Sequence, residues 1–125
     1  MKLIIDSVLS RKNSIITQTM AYQEIETTDN NHHIERKKIY DFFNNNFNDN
    51  EIMVIQSIMY FGRDCSCQDM PKRDKSIENI IKEWMKELRF EIGASIDKGI
   101  EIDQMISKKN RIGTYFKSAF DYFDN

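Results

Sequence analysis

The sequence predicts an all-α fold, a single-domain bundle of five or six helices around a buried central helix at about Asp49 to Phe61. Three observations predict it. Proline occurs once, at Pro71, and glycine only at Gly62, Gly93, Gly99 and Gly113, too few backbone breakers for a turn-rich sheet protein. Apolar side chains, chiefly isoleucine and phenylalanine, recur at three- and four-residue steps, the period of a helix and not of a strand. One segment, Ile52 to Phe61, is apolar almost all round, which suits only a helix enclosed by neighbours. With 125 residues, 40% of them hydrophobic, one domain spanning residues 1–125 can bury roughly two-thirds of its unfolded surface. The abundance of isoleucine, asparagine and lysine is read as the codon bias of an A+T-rich genome.

The first helix is expected to start near Asp6 or Ser7, either of which can cap it, and to run to about Glu24. Its imperfect stripe is Val8, Leu9, Ile15, Ile16, Thr19 and Met20. The polar run from Thr27 to His33 has no period and reads as a loop. A second helix, Ile34 to about Asn46, turns Ile39, Phe42, Phe43 and Phe47 inward, and the asparagines at 44–46 end it. Asn48 with Glu51 three positions on has the form of a capping box. That box opens the central helix, and Gly62 is expected to close it as the C′ residue.

Arg63 to Lys75 then reads as the longest loop. Ser76 or Asp74 caps the next helix, where Ile77, Ile80, Ile81, Trp84, Met85, Leu88 and Ile92 share one face opposite Asn79, Lys82 and Lys86. This segment can run to Lys98 or break near Gly93. Ile102, Met105 and Ile106 mark a short helix between Gly99 and Asn110. Ile112, Tyr115, Phe116, Ala119, Phe120 and Phe123 mark a final one from Arg111 to Phe123.

Eighteen basic and 20 acidic side chains leave a net charge of -2, which argues against a dedicated nucleic-acid binder. The uncharged stretch from Ile52 to Gly62 is about half the length that spans a bilayer, so no membrane role is expected. The opening residues break their apolar run at Asp6, unlike a signal peptide. Two cysteines allow no disulfide framework, and the cytoplasm is the expected compartment.

Four places could carry chemistry. Cys65 and Cys67, one residue apart, are candidate ligands for zinc or a redox pair, with His32 and His33 as the only histidines to complete a set. Solvated loop side chains are the plainer reading of both pairs. Glu83, Glu87 and Glu91 form a row at four-residue spacing, ordinarily a solvated face with local ion pairs. Three basic clusters, Arg36-Lys37-Lys38, Lys72-Arg73-Lys75 and Lys108-Lys109-Arg111, could contact phosphates if the fold gathered them. Arg63 and Tyr122 are candidate partner-binding residues: Arg63 follows the central helix, and Tyr122 lies off its own helix's stripe. No catalytic motif is present.

The run Ile55-Gln56-Ser57-Ile58-Met59-Tyr60-Phe61-Gly62-Arg63-Asp64 resembles the bacterial domain-of-unknown-function family 3775. That family has an acidic helix start, an apolar helix and a Gly-Arg step at the corresponding place. Helices like Val8 to Met20 upstream and the Trp-bearing Ile77 to Ile92 downstream occur in similar order. The family's Leu- and Pro-containing ending is not matched by Arg111 to Phe123. The resemblance implies no activity, since none is assigned to the family.

The expected function is a small non-catalytic interaction or regulatory module, of the kind phages and mobile elements carry. It would bind a protein partner, or a second copy as a homodimer through its C-terminal helix. A metal or redox role for Cys65 and Cys67, and nucleic-acid binding by the basic clusters, are the alternatives.

Overall fold

The computed structural model describes residues 1–26, 28, 30–67 and 75–124, apart from the side chain of Cys67. Among the described residues there are seven helices and no strand: α1 (Lys2–Leu9), α2 (Lys12–Glu24), α3 (His32–Asn46), α4 (Asp49–Cys67), α5 (Ile77–Glu87), α6 (Lys98–Ile106) and α7 (Ile112–Asp124). None of the helices is long and apolar enough to cross a membrane.

The expected first helix is two helices. Ser10 turns its hydroxyl back onto the Ser7 carbonyl at 2.7 Å, and the Arg11 Nε donates to the same oxygen at 3.3 Å. Side chains that take backbone carbonyls in this way compete with helix continuation. The break has a tertiary purpose, because it points Arg11 across the bundle at the start of α4. There its guanidinium donates to the Glu51 carboxylate and the Asn46 carbonyl and lies 4.2 Å from the centre of the Phe47 ring. Glu51 also accepts from the Ser7 hydroxyl at 2.7 Å.

The capping box forms as the sequence predicts. Asn48 Oδ1 accepts from the Glu51 amide at 2.8 Å, and Glu51 Oε1 accepts from the Asn48 amide at 3.0 Å. One carboxylate therefore caps α4 and joins it to the α1–α2 corner.

From Ile52 through Met59 every residue of α4 is buried. It packs against α1, α5, α6 and α7, the enclosure its all-round apolar character requires. The helix does not stop at Gly62. A Cβ built there would lie 1.8 Å from the Tyr115 carbonyl oxygen and 3.2 Å from the Ala119 Cβ. Gly62 is thus the point where the backbone of α7 rests on α4, and α4 continues beneath it to Cys67. The residues 63–67, expected in a loop, are helical.

α7 is clamped from its other side too. A Cβ on Gly113 would lie 2.7 Å from both the Met20 Cα and its nitrogen, so α2 and α7 touch backbone to backbone. They run antiparallel, tied at one end by Lys12 to Asp124 at 2.8 Å. At the other end the Gln23 amide both donates to the Thr114 hydroxyl and accepts from the Thr114 backbone N–H, each at 2.9 Å. Phe43, Phe61, Phe116 and Phe120 fill the space around these contacts and are essentially fully buried. The buried apolar side chains form one cluster.

Gly62→Ala is expected to destabilise the fold by about 3 kcal/mol, the upper end of overpacking costs, because the obstacle is backbone. Urea unfolding should show a lowered midpoint with an unchanged slope. A second expectation concerns Glu51. Burial pushes its carboxyl up, but hydrogen bonds from Ser7 and Asn48 and the Arg11 guanidinium more than offset this and hold it below its ordinary 4.5. The folded pKa is the lower one, so the junction's stabilisation is present above about pH 4.5 and is lost as pH falls through the folded value. Glu51→Gln should cost about 1–2 kcal/mol at neutral pH, Arg11 being partly open to water. The gap between the two proteins should narrow in acid, as read by denaturation across pH.

Candidate functional site

α5 is the most regular amphipathic helix of the chain. Ser76 caps it, its hydroxyl accepting from the Asn79 amide at 3.1 Å, and Ile80, Ile81 and Met85 are buried beneath it. The apolar period predicts continuation through Ile92, but the helix ends at Glu87, ahead of Gly93. The Arg89 amide donates to Lys86 at 3.1 Å and the Phe90 amide to Met85 at 2.8 Å. These are the two bonds of a Schellman cap, with Arg89 at the C′ position where glycine is usual. Its φ of 60° makes it the one non-glycine residue in the left-handed region among the described residues.

The reversal brings Phe90 and Ile92 beside Met85 and the N-terminal Met1, flooring an open groove of about 440 Å³. Lys82, Lys86, Arg89 and Glu91 stand on its rim. Leu3, on the same first turn as Met1, is 83% exposed. This groove is the candidate binding site. The sequence reading missed it because Ile92 fits the helical spacing. No glycine marks the true helix end, and only the break after Leu88-Arg89 in the buried pattern could have signalled it.

The residues singled out from the sequence fall elsewhere. His32 and His33, expected in a loop, form the exposed first turn of α3, with ring centroids 3.8 Å apart. Cys65 is half-buried on the last turns of α4, against the core. The Cys67 side chain lies outside the described residues. Among the described residues no three His, Cys, Asp or Glu side chains gather where they could hold a metal ion.

Arg63 does not follow the central helix but belongs to it. Its guanidinium lies 4.9 Å from the Tyr60 ring centre and its Nε 3.7 Å from Asp64 Oδ1. Tyr122 is not a free surface ring: it is half-buried, its edge against Phe61 with centroids 5.1 Å apart. The inward face of α7 is likewise filled by α2 and α4 of the same chain, so that face has no room for a second copy.

Most described members of the basic clusters are engaged within the fold. Arg36 pairs with Asp103 at 3.1 Å, Lys37 with Asp41 at 2.5 Å and Lys38 with Glu35 at 3.2 Å. Lys75 pairs with Glu83 at 2.5 Å, while Lys72 and Arg73 lie outside the described residues. Lys109 donates to the Ile25 carbonyl at 2.7 Å, closing the end of α2, and lies 5.1 Å from the Tyr22 ring centre. Burial pushes the Tyr22 phenol up, partly offset by the Arg36 guanidinium. Lys109 thus caps the end of α2, while Arg36 meets the side chain of Tyr22 on the same helix.

Comparison of the chain with protein-family models, with curated proteins and with solved structures finds no match. The run Ile55 to Asp64 on which the resemblance to family 3775 rests, its Gly-Arg step included, is an interior stretch of α4.

Lys109→Ala should lower stability by about 1 kcal/mol, by leaving the carbonyls at the end of α2 without a donor. Denaturation at low and high salt checks this. A hydrogen-bonding cap is little affected by ionic strength, whereas a phosphate contact is strongly affected.

Proposed function

We propose that this chain is a non-catalytic helical interaction module that binds another protein through the groove between the start of α1 and the end of α5. The observation that supports the reading is the groove's half-buried apolar side chains, Met1, Phe90 and Ile92, which rest on the buried Met85. Such side chains can seat a partner's apolar residues, with the surrounding charges setting its orientation. Large buried aromatics hold the bundle together, whereas the half-buried Met1 offers an adaptable contact to an incoming segment. α5 is anchored in the core by Ile80, Ile81 and Met85, so the fold does not depend on what the groove holds.

A photo-cross-linking residue placed at Leu3 or Ile92, in cells that make the protein, is the test. Both positions should give the same adduct, and the exposed Lys117 on α7 should not. An adduct at twice the mass of the 14.9 kDa chain would identify the partner as a second copy. Equal yields from all three positions, or none from any, would rule out the groove as the binding surface.

A further inference from the structure

We propose that the segment seated in the α1–α5 groove is acidic and amphipathic, and that Arg89 is the residue that reads its charge. This deepens, and rests on, the binding role assigned to the groove.

Arg89 occupies a position at which its own backbone would be better served by glycine. The bonds of the cap, Arg89 N–H to Lys86 and Phe90 N–H to Met85, are backbone bonds that any residue can make. A side chain at φ 60° adds a clash between Cβ and the backbone that glycine avoids. What the arginine adds is a guanidinium on the groove's rim, with no ion-pair or hydrogen-bond partner among the described residues. Local backbone strain of this kind is characteristic of ligand clamps.

The neighbouring charges act in the same direction. Lys86 also has no ion-pair partner among the described residues. Lys82 is shared with Glu78 at 3.2 Å, and Glu91 is the one acid on the rim. With Lys82 matched by Glu78, the two unpaired cations Lys86 and Arg89 outweigh the one acid, Glu91, on a chain of net charge -2. The floor accepts apolar side chains and the rim accepts carboxylates. An amphipathic segment rich in Asp or Glu presents both at once, and the planar guanidinium can take a carboxylate through two parallel bonds.

The test uses the full chain and three labelled peptides with leucines at the same helical spacing and Glu, Gln or Lys at the remaining positions. Fluorescence anisotropy should show the Glu peptide binding about tenfold or more tightly than the Gln peptide, with affinity falling as salt rises. Arg89→Gly should weaken the Glu peptide about tenfold while raising the melting temperature by roughly 3 °C. Lys86→Gln, which leaves the cap intact, should weaken the same peptide without that rise. Equal binding of the Glu and Gln peptides would overturn the acidic assignment and leave the groove as a protein site. A fall in melting temperature for Arg89→Gly would show that the arginine serves the helix end, and would overturn it as well. Vesicles containing phosphatidylserine carry negative charge without side chains, and their binding as tightly as the Glu peptide would replace the peptide assignment with a membrane one. Binding of no peptide, together with no site-specific cross-link, would remove both the acidic reading and the binding role beneath it.

Discussion

The structure depends on one close approach, the seating of the α7 backbone on Gly62 of α4. With no Cβ at residue 62, the Tyr115 carbonyl can lie where a side chain would otherwise stand. That contact sets how near the two helices come. The separation allows Phe61 to stack on Phe123 with centroids 5.5 Å apart and to meet the edge of Tyr122. Gly113 repeats the device against Met20, so α7 is held between two helices whose backbones it nearly touches. The reciprocal caps follow from this placement: Gln23 reaches the first turn of α7, and Lys109 reaches the last carbonyls before and after the end of α2.

The buried polar groups serve the joints. Glu51 closes its own helix and holds the α1–α2 corner through Ser7 and Arg11, and this double use explains why a carboxylate is placed at the edge of an apolar core. Thr19 and Ser57 return their hydroxyls to carbonyls one turn back, at 2.6 and 2.8 Å, which satisfies them without water. The end of α5 is different in kind. There a cation sits in a strained backbone position with no ion-pair partner among the described residues, beside half-buried apolar side chains.

Much of this architecture was legible from the residues alone. The buried positions of α5, α6 and α7 follow their three- and four-residue periods, and the caps at Asn48 and Ser76 form as their side-chain chemistry requires. The all-round apolar character of Ile52 to Phe61 correctly placed α4 at the centre. The misreadings share one cause. Gly62 and Arg89 were judged by local rules, glycine as a stop and an apolar period as continuation. At Gly62 the other helix decides the matter, and at Arg89 a backbone cap without glycine does. Tyr122, off its helix's apolar stripe and so a candidate exposed contact, is half-buried against Phe61.

By itself the sequence determined what is periodic or adjacent: that the chain is helical, which faces are apolar, where most helices begin, and which segment is too apolar to lie outside. These properties depend on residues within a turn or two of one another. Only the tertiary structure decided that a glycine would serve as a contact point, that Arg36 would pair with Asp103 and Lys109 would cap α2, and that Met1 would meet Phe90 and Ile92 across a groove. Each of those outcomes depends on atoms distant in the chain, which local sequence cannot bring together.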